Sequence, residues 1–244
     1  MKVNGRKVFY NVFSNLVIVS LLVMVFCAGF AFNDLSTVFV QNDEKVIYNG
    51  NKNFNNVSLM INVYWGNEFI EPMLNVLDKY EVKATFFVGG SWVAKNEETF
   101  FKIVMAGHEI GNHGYFHKDH AKLDHDANYN EIIVTHKLVK QLVGIEMNLF
   151  APPSGSFGTI TLDVASELNY RTIMWSKDTI DWRDKDENLV YSRATKNLAN
   201  GDLILMHPTQ HTLNALDKIL NYFKSKNFKA VIVSENIGFQ LGEN

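Results

Sequence analysis

Two histidines four positions apart are the residues whose spacing most directly suggests chemistry in this sequence. His113 and His117 lie in the stretch G-H-E-I-G-N-H-G-Y-F-H, residues 107–117. Neutral imidazole is the commonest protein ligand for zinc and similar ions, so the pair could form part of a metal site. A metalloprotease is a poor alternative, because H-G-Y-F-H lacks the glutamate of H-E-x-x-H. Two solvated histidines would give the same pattern, so the pair does not decide the question alone.

Further polar and aromatic residues follow apolar runs that predict strands. His207 follows L-I-L-M, Ser154 follows A-P-P, and Asp181-Trp182 ends the stretch W-S-K-D-T-I-D-W. Taken singly, His207 is typical of a hydrogen-bonded structural histidine and Asp181 of a loop cap. Active sites of parallel α/β barrels are built at the carboxyl ends of the strands. The shared position of these residues after strands therefore indicates one site more strongly than any single motif does.

Alternating strand and helix patterns must position these residues. Six helices are predicted from amphipathic or helix-forming stretches, at 70–80, 97–105, 127–143, 161–168, 189–198 and 213–223. Seven strands are predicted from short apolar runs, at 57–63, 84–88, 109–112, 149–151, 172–175, 203–206 and 230–233. This alternation predicts an α/β fold with a parallel sheet. Because the sequence has no Gly-rich phosphate loop, we expect a distorted or incomplete (β/α)₈ barrel rather than a nucleotide-binding fold.

The amino-terminal residues 1–32 predict a targeting segment. Basic residues precede a mostly apolar run at 12–32, which is long enough to cross a bilayer as a helix. The positive charge before the run predicts a cytoplasmic amino end. Gly29 and Ala31 would also suit signal-peptide cleavage. A single transmembrane anchor and a removed signal peptide both remain open. Either one predicts an exported body, secreted or held on the outer face of the cytoplasmic membrane.

The rest of the chain is predicted to be one domain with short flanking segments. Residues 33–56 are polar and rich in asparagine, which predicts a linker with a turn at Asn49-Gly50. The domain is predicted to span 57–237, followed by a tail at 238–244.

Composition limits the class of function. Of the 244 residues, 47% are hydrophobic, which supports a sizeable core, and the formal net charge is −3. Because the targeting segment carries only basic charges, the body is more acidic than the whole chain. This acidity argues against nucleic acid as a partner. The only cysteine, Cys27, lies in the targeting segment. The body therefore has no disulfide and no thiolate nucleophile or ligand.

Together, the ordered segments resemble the NodB-type polysaccharide deacetylases, carbohydrate esterase family 4. The resemblance runs from about residue 57 to residue 237, through K-A-T-F-F-V-G-G-S-W, G-H-E-I-G-N-H, W-S-K-D-T-I-D-W and L-I-L-M-H-P. It implies hydrolysis of N-acetyl groups on an aminosugar polymer, so the expected partner is an N-acetylated glycan such as peptidoglycan or a chitin-like chain. It also implies a divalent metal, zinc by preference, that polarises the acetyl carbonyl and activates water.

The resemblance also implies a role for each matching residue. His113 and His117 correspond to the family's metal-ligand histidines. His207 corresponds to the general acid that protonates the leaving amine, and Asp181 to the aspartate that tunes it. The backbone N–H of Ser154 would stabilise the oxyanion.

Two departures from the family pattern bear on activity. Tyr64 and Trp65 stand where the family's T-F-D-D-G-P has the aspartates that act as base and third metal ligand. Ala151 stands where its R-P-P-Y has the arginine that orients the base. An arginine left without its carboxylate would be an unpaired, partly buried charge, so the changes are consistent with one coordinated rebuild. Sporulation-associated YlxY-type homologues within this family also carry W-G in place of the aspartate pair.

Three functions remain open from the sequence. The first is an exported N-deacetylase of a cell-wall or extracellular aminosugar polymer, with a degenerate site. The second is a pseudoenzyme that binds glycan or metal, with Tyr64, Trp65 and Trp182 providing aromatic surface for sugar rings. The third is a membrane-anchored assembly protein of the wall or spore. The nearby residues that could replace a lost carboxylate or ligand are Glu68, Asp119, His120 and Asp124.

Overall fold

This computed structural model describes residues 19–21 and 46–238, and a curled, open sheet organises the second of these ranges. Its nine strands are β1 (Val46–Ile47), β2 (Asn56–Val63), β3 (Thr85–Val88), β4 (Glu109–Asn112), β5 (Leu149–Phe150), β6 (Arg171–Ile173), β7 (Lys177–Asp178), β8 (Leu203–Met206) and β9 (Lys229–Ala230). The strand order is β1-β6-β5-β4-β3-β2-β8-β7, and β9 pairs with the start of β2. All named strand pairs are parallel. The predicted incomplete barrel with a parallel sheet is confirmed.

Helices follow most of the strands. They are α1 (Asn67–Lys79), α2 (Gly90–Val93), α3 (Glu97–Met105), α4 (His125–Val143), α5 (Thr159–Glu167), α6 (Glu187–Thr195), α7 (Gln210–Ser225) and α8 (Val233–Asn236). The six predicted helices are present. Helix α1 begins three residues earlier than predicted, and Pro72 lies inside the helix. The predicted last strand at 230–233 is shorter, because α8 already begins at Val233.

Alternation along the strands separates two apolar layers. On β2, Leu59 and Ile61 belong to the cluster that packs against the helices, whereas Met60 belongs to a smaller cluster on the opposite face of the sheet. Likewise, Phe86 faces the helices and Phe87 faces the inside of the curl. Successive side chains of a strand point to opposite faces, which explains this division. The small inner cluster fills the inside of the curled sheet. It leaves the carboxyl ends of the strands free for a site.

Part of the segment 46–56, which the sequence assigned to a linker, belongs to the sheet, since residues 46–47 form β1 and Asn56 begins β2. Strand β1 pairs with β6, and Asn49 forms an antiparallel bridge with Asp202. The Gly50 N–H donates to the carbonyl of Gly201 over 2.7 Å. The predicted turn at Asn49-Gly50 instead falls at residues 52–53. Strand β1 is the apolar pair Val46–Ile47, which is too short to give a periodic signal within a polar stretch, and Ile47 packs against the inner cluster.

Most of the predicted terminal segments lie outside the described residues. This applies to the targeting segment 1–32 apart from residues 19–21, to the linker up to residue 45, and to the tail from residue 239. Within the ranges 19–21 and 46–238, no helix combines the length and apolar character needed to cross a membrane.

Candidate active site

A cavity of about 370 Å³ gathers most of the residues that the sequence singled out. It is lined by Asn62, Tyr64, Trp65, His113, His117, Ser154, Trp175, Asp178, Trp182, Leu205 and His207. Of the predicted site residues, only Asp181 is not part of the lining, and it lies buried in contact with His207. The strand ends therefore meet as the barrel prediction required.

The His113 imidazole is held in one defined tautomer. Its Nδ1 lies 2.7 Å from the carbonyl oxygen of Ala151, which can only accept, so Nδ1 carries the proton and Nε2 is left with its lone pair. Burial, and next the nearby His117, lower the pKa of His113 well below its usual value. His113 is therefore a neutral base near neutral pH. The rings of His113 and His117 have centroids 5.0 Å apart.

The loop that carries His117 is held by a buried glutamate. Glu131 of α4 accepts the backbone N–H groups of Tyr115 and Phe116 over 2.9 and 2.7 Å. His117 itself has a left-handed backbone, with φ of 55°. A non-glycine residue seldom adopts this conformation, so the glutamate and the surrounding loop must stabilise it. Burial lowers the pKa of His117, and the charge of Glu131 only partly opposes that effect.

Two aromatic rings occupy the carboxyl end of β2. The Tyr64 hydroxyl accepts a hydrogen bond from Ser91 Oγ over 2.8 Å. Gly89 makes room for the Tyr64 ring, because a Cβ at that position would lie 2.4 Å from Tyr64 Cδ2. The indole of Trp65 stacks on the imidazole of His207, with ring centroids 5.6 Å apart and planes 9° from parallel. Trp65 remains 44% exposed, so it forms a wall of the cavity.

A glycine allows the Trp65 turn to lie close to the next loop. Gly66 has φ of 77°, and a Cβ there would lie 2.0 Å from the carbonyl oxygen of Pro208. Any other residue would push the β2–α1 turn away from the His207 loop. The W-G pair thus has a structural basis: the glycine permits the close approach and the tryptophan covers the histidine.

Asp181 and His207 form a buried, hydrogen-bonded pair. The Asp181 carboxylate accepts from the His207 ring at Nδ1 over 2.8 Å and from the His207 backbone N–H over 2.6 Å. Thr212 Oγ1 donates to the same carboxylate. Burial alone would raise the pKa of Asp181, but the hydrogen bonds from His207 and Thr212 outweigh it and lower the pKa. The Asp181 carboxylate is therefore charged and fixes the ring proton of His207 on Nδ1. This leaves Nε2 of His207 without that proton.

Ser154 and Trp182 also take their predicted places in the cavity lining. Ser154 has φ of 55° within the short turn Pro153–Gly155, and its backbone N–H donates no hydrogen bond within the described part of the chain. That N–H is therefore available to a ligand. Trp182 is 56% exposed. Trp182 and Trp65 therefore both contribute exposed aromatic surface to the cavity lining.

Sequence reasoning missed four lining residues, Asn62, Trp175, Asp178 and Leu205. Asn62 lies two residues after the inward-facing Met60, so strand alternation could have identified it. Its buried Oδ1 has no hydrogen-bond partner among the described residues. Asp178 Oδ1 accepts the N–H of Ile180, which has the unusual φ of 53°. A left-handed isoleucine is not readable from sequence, so the orientation of Asp178 was not predictable.

None of the suggested replacements for the lost groups lines the cavity. Glu68 lines a different cavity. Asp119 pairs with Lys122 over 2.8 Å. Asp124 caps α4 by accepting a backbone N–H, and His120 is fully buried with its Nδ1 bonded to an asparagine.

The donor set does not fit the divalent metal that the family resemblance implies. His113 and His117 offer nitrogen ligands, but Tyr64 and Trp65 occupy the positions expected to supply carboxylates. Among the residues described here, no group of three or more His, Cys, Asp or Glu side chains is arranged to hold a metal ion. A catalytic zinc usually has three protein ligands, so two histidines fall short of a site.

Fold and site together define the class. The curled parallel sheet with its surrounding helices is the fold of the CE4 deacetylase family. The polysaccharide deacetylase family model matches residues 49–173, and the chain belongs to that family.

Two curated relatives extend this comparison. The chain is 41% identical over 189 residues to the uncharacterized protein YlxY of Bacillus subtilis, covering 78% of this chain and 59% of that protein. It is 34% identical over 169 residues to a peptidoglycan-N-acetylglucosamine deacetylase of Bacillus cereus, covering 67% of this chain and 62% of that protein. The chain thus spans less than two thirds of either relative.

Solved structures give the same fold. BA3943 of Bacillus anthracis, a CE4 family pseudoenzyme, matches with a TM-score of 0.77 and 36% identity, over 79% of this chain and 68% of that one. A BA3943 mutant with restored enzymatic activity matches with a TM-score of 0.77 and 35% identity, over 79% and 71% of the two chains.

Proposed function

We propose that this protein binds an N-acetylated glycan in the cavity without hydrolysing it. The observation that carries the proposal is the pair of aromatic rings at the end of β2, with Trp65 stacked on His207. A general base typically contributes about 10²–10⁴ to the rate, so its loss alone removes most of a deacetylase's activity. The remaining lining carboxylate is Asp178, which is already hydrogen bonded to Ile180 N–H.

An aminosugar polymer is the ligand that the cavity suits best. Trp65 and Trp182 expose broad aromatic faces at the rim, and ligand pockets commonly combine such surfaces with a few fixed polar groups. Here the polar groups are the free N–H of Ser154 and the imidazoles of His113 and His207. An acetamido carbonyl would accept from the N–H, and the sugar ring would pack on the aromatic rings. The peptidoglycan substrate named for the Bacillus cereus relative supports N-acetylglucosamine polymers as the ligand class.

Binding and turnover can be measured on the same samples. Calorimetric titration with N-acetylglucosamine oligomers should give saturable binding, and acetate should stay at the level of a protein-free blank. Trp182→Ala should weaken binding by about tenfold, because a stacked aromatic contact is worth roughly 1 kcal/mol or more. Met105→Ala is the matched control, since Met105 is 86% exposed and does not line the cavity. Unaltered binding in Trp182→Ala would contradict the proposal.

A slow N-deacetylase is the second candidate, and one observation favours it. His207 and Asp181 have the hydrogen-bonded arrangement expected of a general acid and the residue that tunes it. If this candidate is correct, acetate release above the blank will be measurable and will disappear in His207→Ala. Acetate release that persists in this variant would point to a contaminating hydrolase.

We also propose that the protein is exported and binds glycan of the cell wall, with sporulation as its setting. The basic start and the apolar run at 12–32 support export, and the peptidoglycan substrates in the names of relatives support a wall location. Cell fractionation with a carboxyl-terminal tag tests this. Recovery in the membrane after alkaline washing indicates an anchor, and recovery in the medium indicates a cleaved signal. Retention in the cytosol would refute export.

A further inference from the structure

A chain of hydrogen bonds runs from the protein surface to the backbone of Gly114, beside the first cavity histidine. The exposed Glu146 bonds to Nε2 of His136 over 2.8 Å, and Nδ1 of His136 bonds to the Tyr170 hydroxyl over 2.7 Å. The Tyr170 hydroxyl accepts from Asn112 Nδ2 over 3.1 Å. Asn112 Oδ1 in turn accepts the Gly114 N–H over 3.0 Å. These four side chains, here called the relay, connect a surface carboxylate with the loop that carries the cavity histidines.

Each proton in the relay has a defined position. Asn112 Oδ1 accepts a backbone N–H, and its Nδ2 also donates to the carbonyl of Ile132 over 2.8 Å, so the amide cannot be turned round. The second hydrogen of Nδ2 is therefore donated to Tyr170. The Tyr170 hydroxyl must then use its own proton toward Nδ1 of His136. A neutral His136 carries its ring proton on Nε2 and donates it to the Glu146 carboxylate.

One member of the relay can change this order of protons. Burial raises the pKa of Tyr170, so its hydroxyl keeps its proton, and the hydrogen bonds from Lys140 and then His136 lower the pKa of Glu146, which stays charged. Histidine is the side chain that most readily takes up a proton in weakly acid solution. In the described part of the chain, the titratable groups that contact the His136 ring are Tyr170 and Glu146, and Lys140 pairs with Glu146.

A proton on Nδ1 of His136 conflicts with the rest of the relay. Nδ1 would become a donor, and the described contacts give the Tyr170 hydroxyl proton no second acceptor. Rotation of that proton toward Asn112 would place it against another donor. Tyr170 is only 6% exposed and Asn112 is fully buried, so water cannot readily supply the missing partner. Protonation of His136 therefore disturbs the Asn112 amide.

The turn at the inner end of the relay lies between the two cavity histidines. Gly114 has φ of 70°, and its carbonyl accepts the Gly90 N–H over 2.9 Å. Asn112 holds the other side of this turn through the Gly114 N–H. The turn sets the direction in which the chain leaves His113 and reaches His117. A disturbed Asn112 amide thus changes the placement of both imidazoles in the cavity.

We propose that the relay positions the cavity histidines for ligand binding and that protonation of His136 weakens this binding. The inference rests on the proposed function of the cavity. His136, Tyr170 and Asn112 act as positioning residues, since the described residues that line the cavity include none of them. Glycan affinity therefore falls in weakly acid solution by more than the titration of the cavity histidines alone would cause.

The first test uses NMR on the ligand-free protein between about pH 8 and pH 5, where histidine titrates. At the upper end, His136 should carry its ring proton on Nε2. On acidification, the Gly114 amide signal should show a step with the same midpoint as the His136 ring. In Tyr170→Phe, which keeps the ring and removes the hydroxyl, His136 should still titrate and the Gly114 step should be missing. A proton on Nδ1 in the neutral ring, or an unchanged step in Tyr170→Phe, would overturn the relay.

The second test titrates an N-acetylglucosamine tetramer calorimetrically into wild type and two variants over the same pH range. His136→Asn keeps an acceptor for Tyr170 and cannot be protonated, so it should bind as wild type does at the upper end. Acidification should then cost the wild type about tenfold more affinity than this variant, because a buried donor loses its acceptor. His136→Leu, which lacks the acceptor at every pH, should bind about tenfold more weakly than wild type at the upper end.

The control is His125→Asn, which removes an exposed histidine from the same helix. His125 bonds to Glu167 and is not among the described residues that line the cavity, so this variant should follow the wild-type pH profile. The cavity histidines are present in every variant, so their own titration cancels in the comparison.

The outcomes separate the two proposals. If wild type and His136→Asn lose affinity equally on acidification, the role of His136 is refuted while glycan binding stands. If the wild type binds no glycan at any pH, the proposed function fails, and the claim about affinity fails with it. The Gly114 signal then decides whether the relay transmits protonation of His136 to the cavity loop.

Discussion

The two sides of the cavity differ in how firmly their residues are held. On the β8 side, Asp181 is 1% exposed and accepts hydrogen bonds from His207 and Thr212. On the β2 side, Trp65 is 44% exposed and Tyr64 has one side-chain hydrogen bond, from Ser91. The first side is a buried polar unit that the fold needs, and the second is an adaptable surface. Folding stability alone can therefore preserve the Asp181–His207 pair, so its presence does not establish catalysis.

Rebuilding the β2 side should give the largest effect. The triple change Tyr64→Asp, Trp65→Asp and Ala151→Arg restores the groups that the family resemblance expects. Because a positioned base contributes about 10²–10⁴ to the rate, acetate release with zinc supplied should rise by at least about a hundredfold. The BA3943 mutant with restored activity provides a precedent in a similar protein.

The control for this rebuild is the same triple variant with His207→Ala, which should be inactive again. A folded triple variant that binds glycan and releases no acetate would show that the β8 side no longer functions as an acid. The comparison between the two sides would then have to be revised.

Removing the carboxylate on the β8 side should destabilise the fold. Asp181→Ala removes the buried acceptor of the His207 backbone N–H and the Thr212 hydroxyl. Both donors are then left unsatisfied. Each unsatisfied buried group costs about 1–3 kcal/mol, so the free energy of unfolding should fall by roughly 3 kcal/mol. Urea denaturation measures this loss. A change below about 0.5 kcal/mol, the range of ordinary surface substitutions, would argue that the pair is kept for chemistry instead.

The neutral histidines that follow β4 should make the protein sensitive to acid. His113 and His117 have pKa values lowered by burial, so the unfolded chain takes up protons first as the pH falls below about 6.5. Stability should therefore decrease below that pH, by up to about 1.4 kcal/mol per pH unit for each such histidine. Urea midpoints for wild type and His113→Gln should converge as the pH is lowered.

His125 provides the opposite control for the acid effect. It is exposed, and the hydrogen bonds that its ring donates to Glu167 and then Asp126 raise its pKa, so it contributes stability that is lost as the pH rises. His125→Gln should leave the acid-induced decrease intact. An identical pH profile in His113→Gln and wild type would contradict the assignment of His113 as a buried neutral imidazole.

Truncating the β2 side should have the smallest effect on the fold. Trp65→Ala removes a half-exposed ring that stacks on His207, and the free energy of unfolding should change by less than about 1 kcal/mol. Glycan affinity should nevertheless fall. A stability loss as large as that of Asp181→Ala would mean that the two sides are equally structural.

The fold was largely predictable because its main strands are strongly patterned. Strands β2 and β8 are buried almost throughout, so their apolar runs stand out in the sequence. Strands β1 and β7 have two residues each and are only partly buried, which leaves no periodic signal. Their pairing depends on tertiary contacts, such as the bond from Met174 N–H to the carbonyl of Ile47, that local sequence does not encode.

The site was predictable as a set of residues and not as an arrangement. Motif spacing identified His113 and His207, because strand ends in a parallel barrel converge. The sequence could not indicate that Trp65 stacks on His207, since this contact depends on the approach of Gly66 to the next loop. Nor could the sequence indicate the orientation of Asp178, because it depends on the left-handed backbone of Ile180, a β-branched residue.

The most direct test follows an isotopically labelled acetyl group on an N-acetylglucosamine tetramer by NMR, in the presence of excess wild-type protein. We expect the acetyl signal to shift or broaden on binding and the free-acetate signal to stay at the level of the blank. Acetate that accumulates with the wild type and fails to accumulate with His207→Ala would contradict the account, because the wild-type site would then still be a deacetylase despite Tyr64 and Trp65.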